Sequence, residues 1–244
     1  MKIIDSLSFI GQGKYKNQNA EELIRKMDQN GVEKALIAPV DEYVVAYNTE
    51  GNLLVQAACA AYPDRFIGYA VANPWFGNKA VNSLKRALEN GLSAVYFDSS
   101  IQGFPINDHI IDPLMNVCKE YNVPAYFHTG TPLFALPFNL HYLAIRHPDV
   151  RFLLGHLGAN DFVSDAIPSL YGRDNIWLET SLALTPAMTR FMKVIPDRVV
   201  FGSCSPRSEI SYELKKLRYG EPEQSALEKA LSKNIETVLG VNYR

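Results

Sequence analysis

Two histidines finish two neighbouring strand-like runs. His128 closes Val123-Pro-Ala-Tyr-Phe-His128, with Thr129 and Gly130 behind it, and His156 closes Phe152-Leu-Leu-Gly-His156, with Leu157 and Gly158 behind it. Imidazoles at the mouths of adjacent parallel strands can approach one point and offer neutral nitrogens to a metal ion. The plainer role is a hydrogen bond to a loop, but two histidines at equivalent strand ends favour a shared site. His109, His141 and His147 fall on helix starts or faces and read as solvated or helix-packing residues. Other polar groups stand at strand ends: Asp98, Glu179 with Thr180 and Ser181, and Arg207. Buried beside the histidines, Glu179 could be a general acid or base, because desolvation raises a carboxyl pKa toward neutrality. Arg207 could clamp a substrate carboxylate through a bidentate fork. An ion pair across a barrel and a solvated helix start are their ordinary roles. Phe9, Trp75, Phe76, Tyr96, Phe104, Phe134 and Phe138 lie late in or after strands, which suits either a flat, apolar small ligand or simple packing. Trp75, Tyr96, Asp98 and Arg207 are the substrate-binding candidates.

The elements that must position these groups alternate along the chain. Short β-branched or aromatic runs at 3–10, 35–38, 66–71, 94–97, 125–128, 152–156, 176–179 and 199–202 read as eight strands. The first helix opens at Asn19 with Glu22 as a capping-box acid and ends at Gly31. Further helical patterns fall at 50–61, 78–90, 108–121, 136–147, 160–171, 186–194, 207–217 and 223–239. Eight β-then-α units in 244 residues predict a single (β/α)8 barrel domain spanning 1–244, with its chemistry at the C-terminal strand ends. A doubly wound sheet would usually carry a glycine-rich turn after its first strand, and Gly11-Gln-Gly13 lacks the third glycine.

Composition removes several classes of function. Lys plus Arg number 24 against 26 Asp plus Glu, so no strong field recruits nucleic acid or a membrane surface. Hydrophobic residues at 47% and charged residues at 20% support a core without staples. Cys59, Cys118 and Cys204 are an odd count without C-x-x-C spacing, which suits free thiols in a reducing compartment. With no signal-like leader and no apolar run near 18 residues, the expectation is a cytoplasmic protein. The basic run Lys215-Lys216-Leu-Arg218 reads as a solvated helix face.

Ordered segments along nearly the whole chain resemble the amidohydrolase-related family of metal-dependent (β/α)8 hydrolases and decarboxylases, including aminocarboxymuconate-semialdehyde decarboxylase. The carriers are Ile3-Ile-Asp5, Pro63-Asp-Arg-Phe-Ile-Gly-Tyr69, Asn122-Val-Pro-Ala-Tyr-Phe-His-Thr-Gly130, His147-Pro-Asp-Val-Arg-Phe-Leu-Leu-Gly-His-Leu-Gly158, Val200-Phe-Gly-Ser203 with Pro206, and Asn234-Ile-Glu-Thr-Val-Leu-Gly240. The resemblance implies hydrolysis or decarboxylation of a small carbonyl-containing compound. It also implies a divalent ion held by a His-x-His pair on the first strand, single histidines on the fifth and sixth, and an aspartate on the eighth. His128 and His156 match the two single histidines. Leu7 and Phe9 stand at the His-x-His positions, Cys204 at the aspartate, and Tyr96 where many relatives carry lysine.

Three expectations follow from those departures. Zinc accepts nitrogen and sulfur, so His128, His156 and Cys204 would form a His2Cys site with an open position for water. Without metal, Cys204 could be a thiolate nucleophile with His128 or His156 as base, against its ordinary role as a small buried hydrophobe. The third is a noncatalytic small-molecule binder or interaction protein on a degenerate scaffold. A small-molecule ligand is the expected partner, with self-association into a homo-oligomer open.

Overall fold

The chain alternates strand and helix from end to end in a computed structural model, which describes residues 1–14 and 16–240. In order these are β1 (Ile4–Gln12), β2 (Asn17–Gln18), α1 (Ala20–Asn30), β3 (Lys34–Pro39), α2 (Asp41–Val45), α3 (Asn48–Ala61), β4 (Phe66–Val71), α4 (Asn78–Glu89), β5 (Ala94–Phe97) and α5 (Ser99–Gln102). Then come α6 (Asp112–Glu120), β6 (Ala125–Phe127), α7 (Pro137–Arg146), β7 (Phe152–Leu154), β8 (Ile176–Glu179), α8 (Thr185–Val194), β9 (Val199–Val200), α9 (Ile210–Tyr219), α10 (Gln224–Glu228) and α11 (Asn234–Leu239). The sheet order is β2-β1-β3-β4-β5-β6-β7-β8-β9, parallel throughout except for the short β2 against β1. The segment after β9 returns to β1 and closes the barrel. Ser6 N donates to Phe201 O at 3.1 Å, Cys204 N to Leu7 O at 2.8 Å and Phe9 N to Ser205 O at 2.7 Å. This is the TIM-barrel architecture that the alternation predicts.

Strand period sorts the apolar residues into two packed layers. Leu36, Ile67, Tyr69, Tyr96, Tyr126, Leu153 and Trp177 fill the barrel, while Ile37, Phe66, Val95, Phe97, Phe127, Leu154 and Leu178 face the helices. Both faces are buried, hence the unbroken apolar runs. Buried tyrosine hydroxyls need partners; Tyr69 Oη donates to Ser6 O and Tyr126 Oη to Glu179 Oε2, each at 2.8 Å. Asp5 pins the closure, accepting from Ser203 N at 2.8 Å, Ser203 Oγ at 2.5 Å and Ser8 Oγ at 2.7 Å.

Several elements depart from the periodicity. No α-helix forms over 160–171; the chain makes 3-10 turns at Val163–Asp165 and Pro168–Leu170. Pro168 cannot donate into a helix interior, so the pattern breaks there. The helix at 223–239 divides into α10, a π turn at Lys229–Lys233 and α11. The last strand covers two residues of 199–202, and the β2 hairpin is an addition that the periodicity does not foretell.

Candidate active site

Alternation carries the interior side of three strands to the barrel mouth. Two residues beyond the inward-facing Tyr96 and Tyr126 stand Asp98 and His128, and Trp177 is followed in the same way by Glu179. On β7 the same parity, counted from Leu153, puts Gly155 inward. A Cβ at Gly155 would meet Tyr126 Oη at 2.1 Å, so only glycine fits. The chain then turns left-handed at His156 (φ 61°) and Leu157 (φ 53°). This turn brings the His156 ring back to His128, with ring centroids 4.8 Å apart. Thr129 fastens the two strand ends together, donating through Oγ1 to Gly155 O at 2.5 Å and accepting from Gly158 N at 3.0 Å.

His156 is held from behind. Its Nδ1 lies 3.1 Å from Ser181 O, which can only accept, and 2.8 Å from Ser181 Oγ, so Nδ1 carries the proton and Nε2 keeps its lone pair. Ser181 Oγ donates onward to Glu179 Oε2 at 2.9 Å. Glu179 also accepts from Ser181 N at 2.6 Å, Tyr126 Oη at 2.8 Å and His156 N at 3.1 Å. Burial pushes the Glu179 carboxyl up to about 7, against the pull of those donors.

His128 is set differently. Asp98 Oδ1 caps α5 by accepting from Ser100 N at 3.1 Å and from Ser100 Oγ, and Asp98 Oδ2 faces His128 Nδ1 at 3.9 Å. Both histidines open onto a cavity of about 530 Å³ whose wall also carries Lys16, Asp41, Asp98 and Arg207. Lys16 Nζ lies 2.6 Å from Asp41 Oδ1 and 4.1 Å above the Phe9 ring. The Arg207 side chain makes no hydrogen bond or ion pair with the described residues. Burial lowers the pKa of His128, partly opposed by the Asp98 charge. Burial first, then the neighbouring His128, holds His156 well below the ordinary imidazole value. Both rings are therefore neutral bases at neutral pH.

The predicted site is thus partly assembled. His128, His156, Asp98 and Arg207 meet at one cavity. Cys204 does not join them: it packs in the apolar barrel interior with Leu7 and Phe9, and burial pushes its thiol up to about 12. A thiol so disfavoured as thiolate is a poor nucleophile. The expected His2Cys zinc set is therefore not assembled; among the described residues no group of three His, Cys, Asp or Glu side chains could hold a metal ion. Glu179 lies behind the wall, accepting from His156 N and Ser181, and does not line the cavity. Tyr96 lies below the cavity, edge-on to Phe9 with centroids 5.4 Å apart. Trp75 is exposed outside it, its Nε1 donating to Gln102 O at 3.0 Å. Sequence reasoning missed Lys16 and Asp41, which sit in a polar turn and at a helix start. The available signal was a lysine shortly after a strand whose expected histidines are apolar.

A family model described as amidohydrolase matches residues 20–241. Among solved structures, an uncharacterised TIM-barrel protein of Bordetella bronchiseptica superposes with a TM-score of 0.80 at 19% identity, covering 100% of both chains. A 5-carboxyvanillate decarboxylase of Novosphingobium aromaticivorans, complexed with manganese and 4-hydroxy-3-methoxy-5-nitrobenzoic acid, gives 0.79 at 17% identity over 98% of this chain and 96% of its own. A 2,6-dihydroxybenzoate decarboxylase from Rhizobium gives 0.77 at 16%, over 98% of each chain. A divalent metal thus occurs on this fold. The present chain offers two imidazoles for one, and among the described residues the donor set does not extend to a third.

Proposed function

Since the chain belongs to the amidohydrolase family, whose hydrolase and decarboxylase character is the one the resemblance implied, we propose that it removes CO2 from a small hydroxylated aromatic carboxylate. The observation that carries this reading is a neutral imidazole, His128, beside the Asp98 carboxylate in a cavity that also holds two cations, Lys16 and Arg207. Decarboxylases of hydroxybenzoates among the similar structures support the substrate class.

In this reading Arg207 grips the substrate carboxylate through its fork. His128 takes the proton of the neighbouring ring hydroxyl, and Asp98 stabilises the imidazolium that forms. Electron density then rises at the ring carbon bearing the carboxylate, which recovers that proton from His128. The bond to the carboxylate breaks, its electron pair returns to the ring, and CO2 and a phenolate leave. No step runs through a metal ion, and His156 shapes the wall beside His128. The same base could draw a proton from water in a hydrolysis, so the products separate the two reactions. The donor wall favours an enzyme over a noncatalytic binder. Three free thiols support a reducing cytoplasm as the place of action; among the described residues no helix is long and apolar enough to cross a membrane.

The test is incubation with 2,6-dihydroxybenzoate and 5-carboxyvanillate, following CO2 and the ring product by chromatography. Decarboxylation should fall by about 10²–10⁴ in His128→Asn, the range for a lost acid–base group, with circular dichroism unchanged. Full activity in that variant, or ring products without CO2 release, defeats the reading.

A further inference from the structure

The Lys16 ammonium occupies a constructed position. Gly13 N donates to Lys16 O at 3.0 Å, closing the turn between β1 and β2, and the β2 residue Gln18 is held from two sides. Its Nε2 donates to Phe9 O at 3.0 Å, and Ser205 Oγ donates to its Oε1 at 3.0 Å. The turn is thereby fastened to the barrel closure. The ring under the ammonium is fastened too: Phe9 stands edge-on to Tyr96, which stacks on Tyr126 with centroids 5.2 Å apart. The Lys16 side chain is only 11% exposed, unlike that of a lysine in a solvated surface pair.

Phe9 and Leu7 fill the positions where the family resemblance puts the first pair of metal-binding histidines. An aromatic face attracts an ammonium through its quadrupole but offers a divalent ion no lone pair. The barrel mouth therefore has a built-in monovalent cation beside an apolar surface. Arg207 supplies a second cation, and both would repel a divalent ion added beside them and attract an anion bearing two oxygens, with Asp41 and Asp98 on the same wall offsetting part of that field. Asp41 neutralises part of the Lys16 charge and orients it, without removing it from the cavity wall.

We propose that Lys16 is the resident cation of this site, holding the substrate's anionic oxygens together with Arg207 in place of a divalent metal. The assignment rests on the carboxylate reading above and extends it to a metal-independent enzyme with Lys16 as a binding residue.

Calorimetric titration of 2,6-dihydroxybenzoate into chelator-treated protein, with and without added manganese(II), tests it. The expected result is binding whose Kd is the same in both conditions, with no stoichiometric manganese uptake by the protein alone. Lys16→Met should weaken the probe about tenfold, in keeping with loss of one close charge contact, and Lys16→Arg should retain most of the affinity. Lys16→Met/Asp41→Asn should remain weak. If the double variant binds like the wild type, Lys16 only neutralises Asp41 and the proposal falls. It falls equally if Lys16→Met binds normally, or if manganese binds stoichiometrically and His128→Ala abolishes that uptake. A probe that binds neither with nor without manganese would instead remove the carboxylate reading beneath it. Circular dichroism and the melting midpoint of each variant separate these outcomes from misfolding.

Discussion

The ends of β6 and β7 each deliver one imidazole to the same cavity by different physical means. His128 arrives by strand alternation, makes no close side-chain hydrogen bond with the described residues, and faces Asp98 across 3.9 Å. His156 arrives through left-handed backbone, is almost wholly buried, and is fixed through Ser181 to a carboxylate with four donors. The difference teaches which ring is free to exchange a proton. A base must change its charge during turnover, and His128, with a counter-charge nearby and an open side, can do so at lower cost. His156 is the better-placed wall.

The contrast can be broken most severely at His128. The loss of about 10²–10⁴ in turnover expected for His128→Asn should come without a change in melting midpoint, whereas damage at the β7 end should appear first in stability. Glu179→Ala would orphan the neutral donors around it and should cost roughly 1–3 kcal/mol for each buried donor left unsatisfied, measured by urea denaturation. Gly155→Ala should cost roughly 1–3 kcal/mol through overpacking against Tyr126 and lower the melting midpoint. A variant as stable as the wild type would mean the close approach at Gly155 is not obligatory.

The buried carboxyls and the two histidines should differ in pH response. Glu179 has its folded pKa raised from 4.5 to about 7, so its stabilising share is fully present below 4.5 and is lost as pH rises through about 7. Glu179→Gln should remove that decline, leaving the similar contribution of Asp5, which ends near 6. The two histidines act with the opposite sign. Their folded pKa values are depressed, so stability is held above the ordinary 6.5 and lost as pH falls, because the unfolded chain takes up protons that the folded rings refuse. Denaturant midpoints across pH 4–8 would separate the two signs. The smallest effect is expected at Ala159, held at φ 52° and ψ −157°. Relief of that strain in Ala159→Gly should add about 1 kcal/mol; a loss of stability would show that the methyl group's packing outweighs the strain.

The sequence made the barrel and much of its mouth legible, because strand period and helix caps act over a few neighbouring residues. Asn19 caps α1 with Glu22 as the spacing predicts, and His128 and Asp98 follow the parity of their strands. The 160–171 segment was misleading because Pro168 and the left-handed approach from β7 override an apolar spacing that favours a helix. Cys204 was misleading for another reason. Its position in the family pattern is set by the chain, but its chemistry is set by the apolar neighbours that close around it.

Residue order alone therefore determined the alternating architecture, the strand ends that bear chemistry, and the absence of the first histidine pair. Tertiary structure alone decided that a lysine from a polar turn stands over Phe9, that His156 points inward against strand parity, and that Glu179 holds His156 in place without entering the cavity. Local periodicity can encode which face a strand residue takes. It cannot encode the meeting of groups from distant loops, because desolvation and charge pairing depend on neighbours far away in the chain.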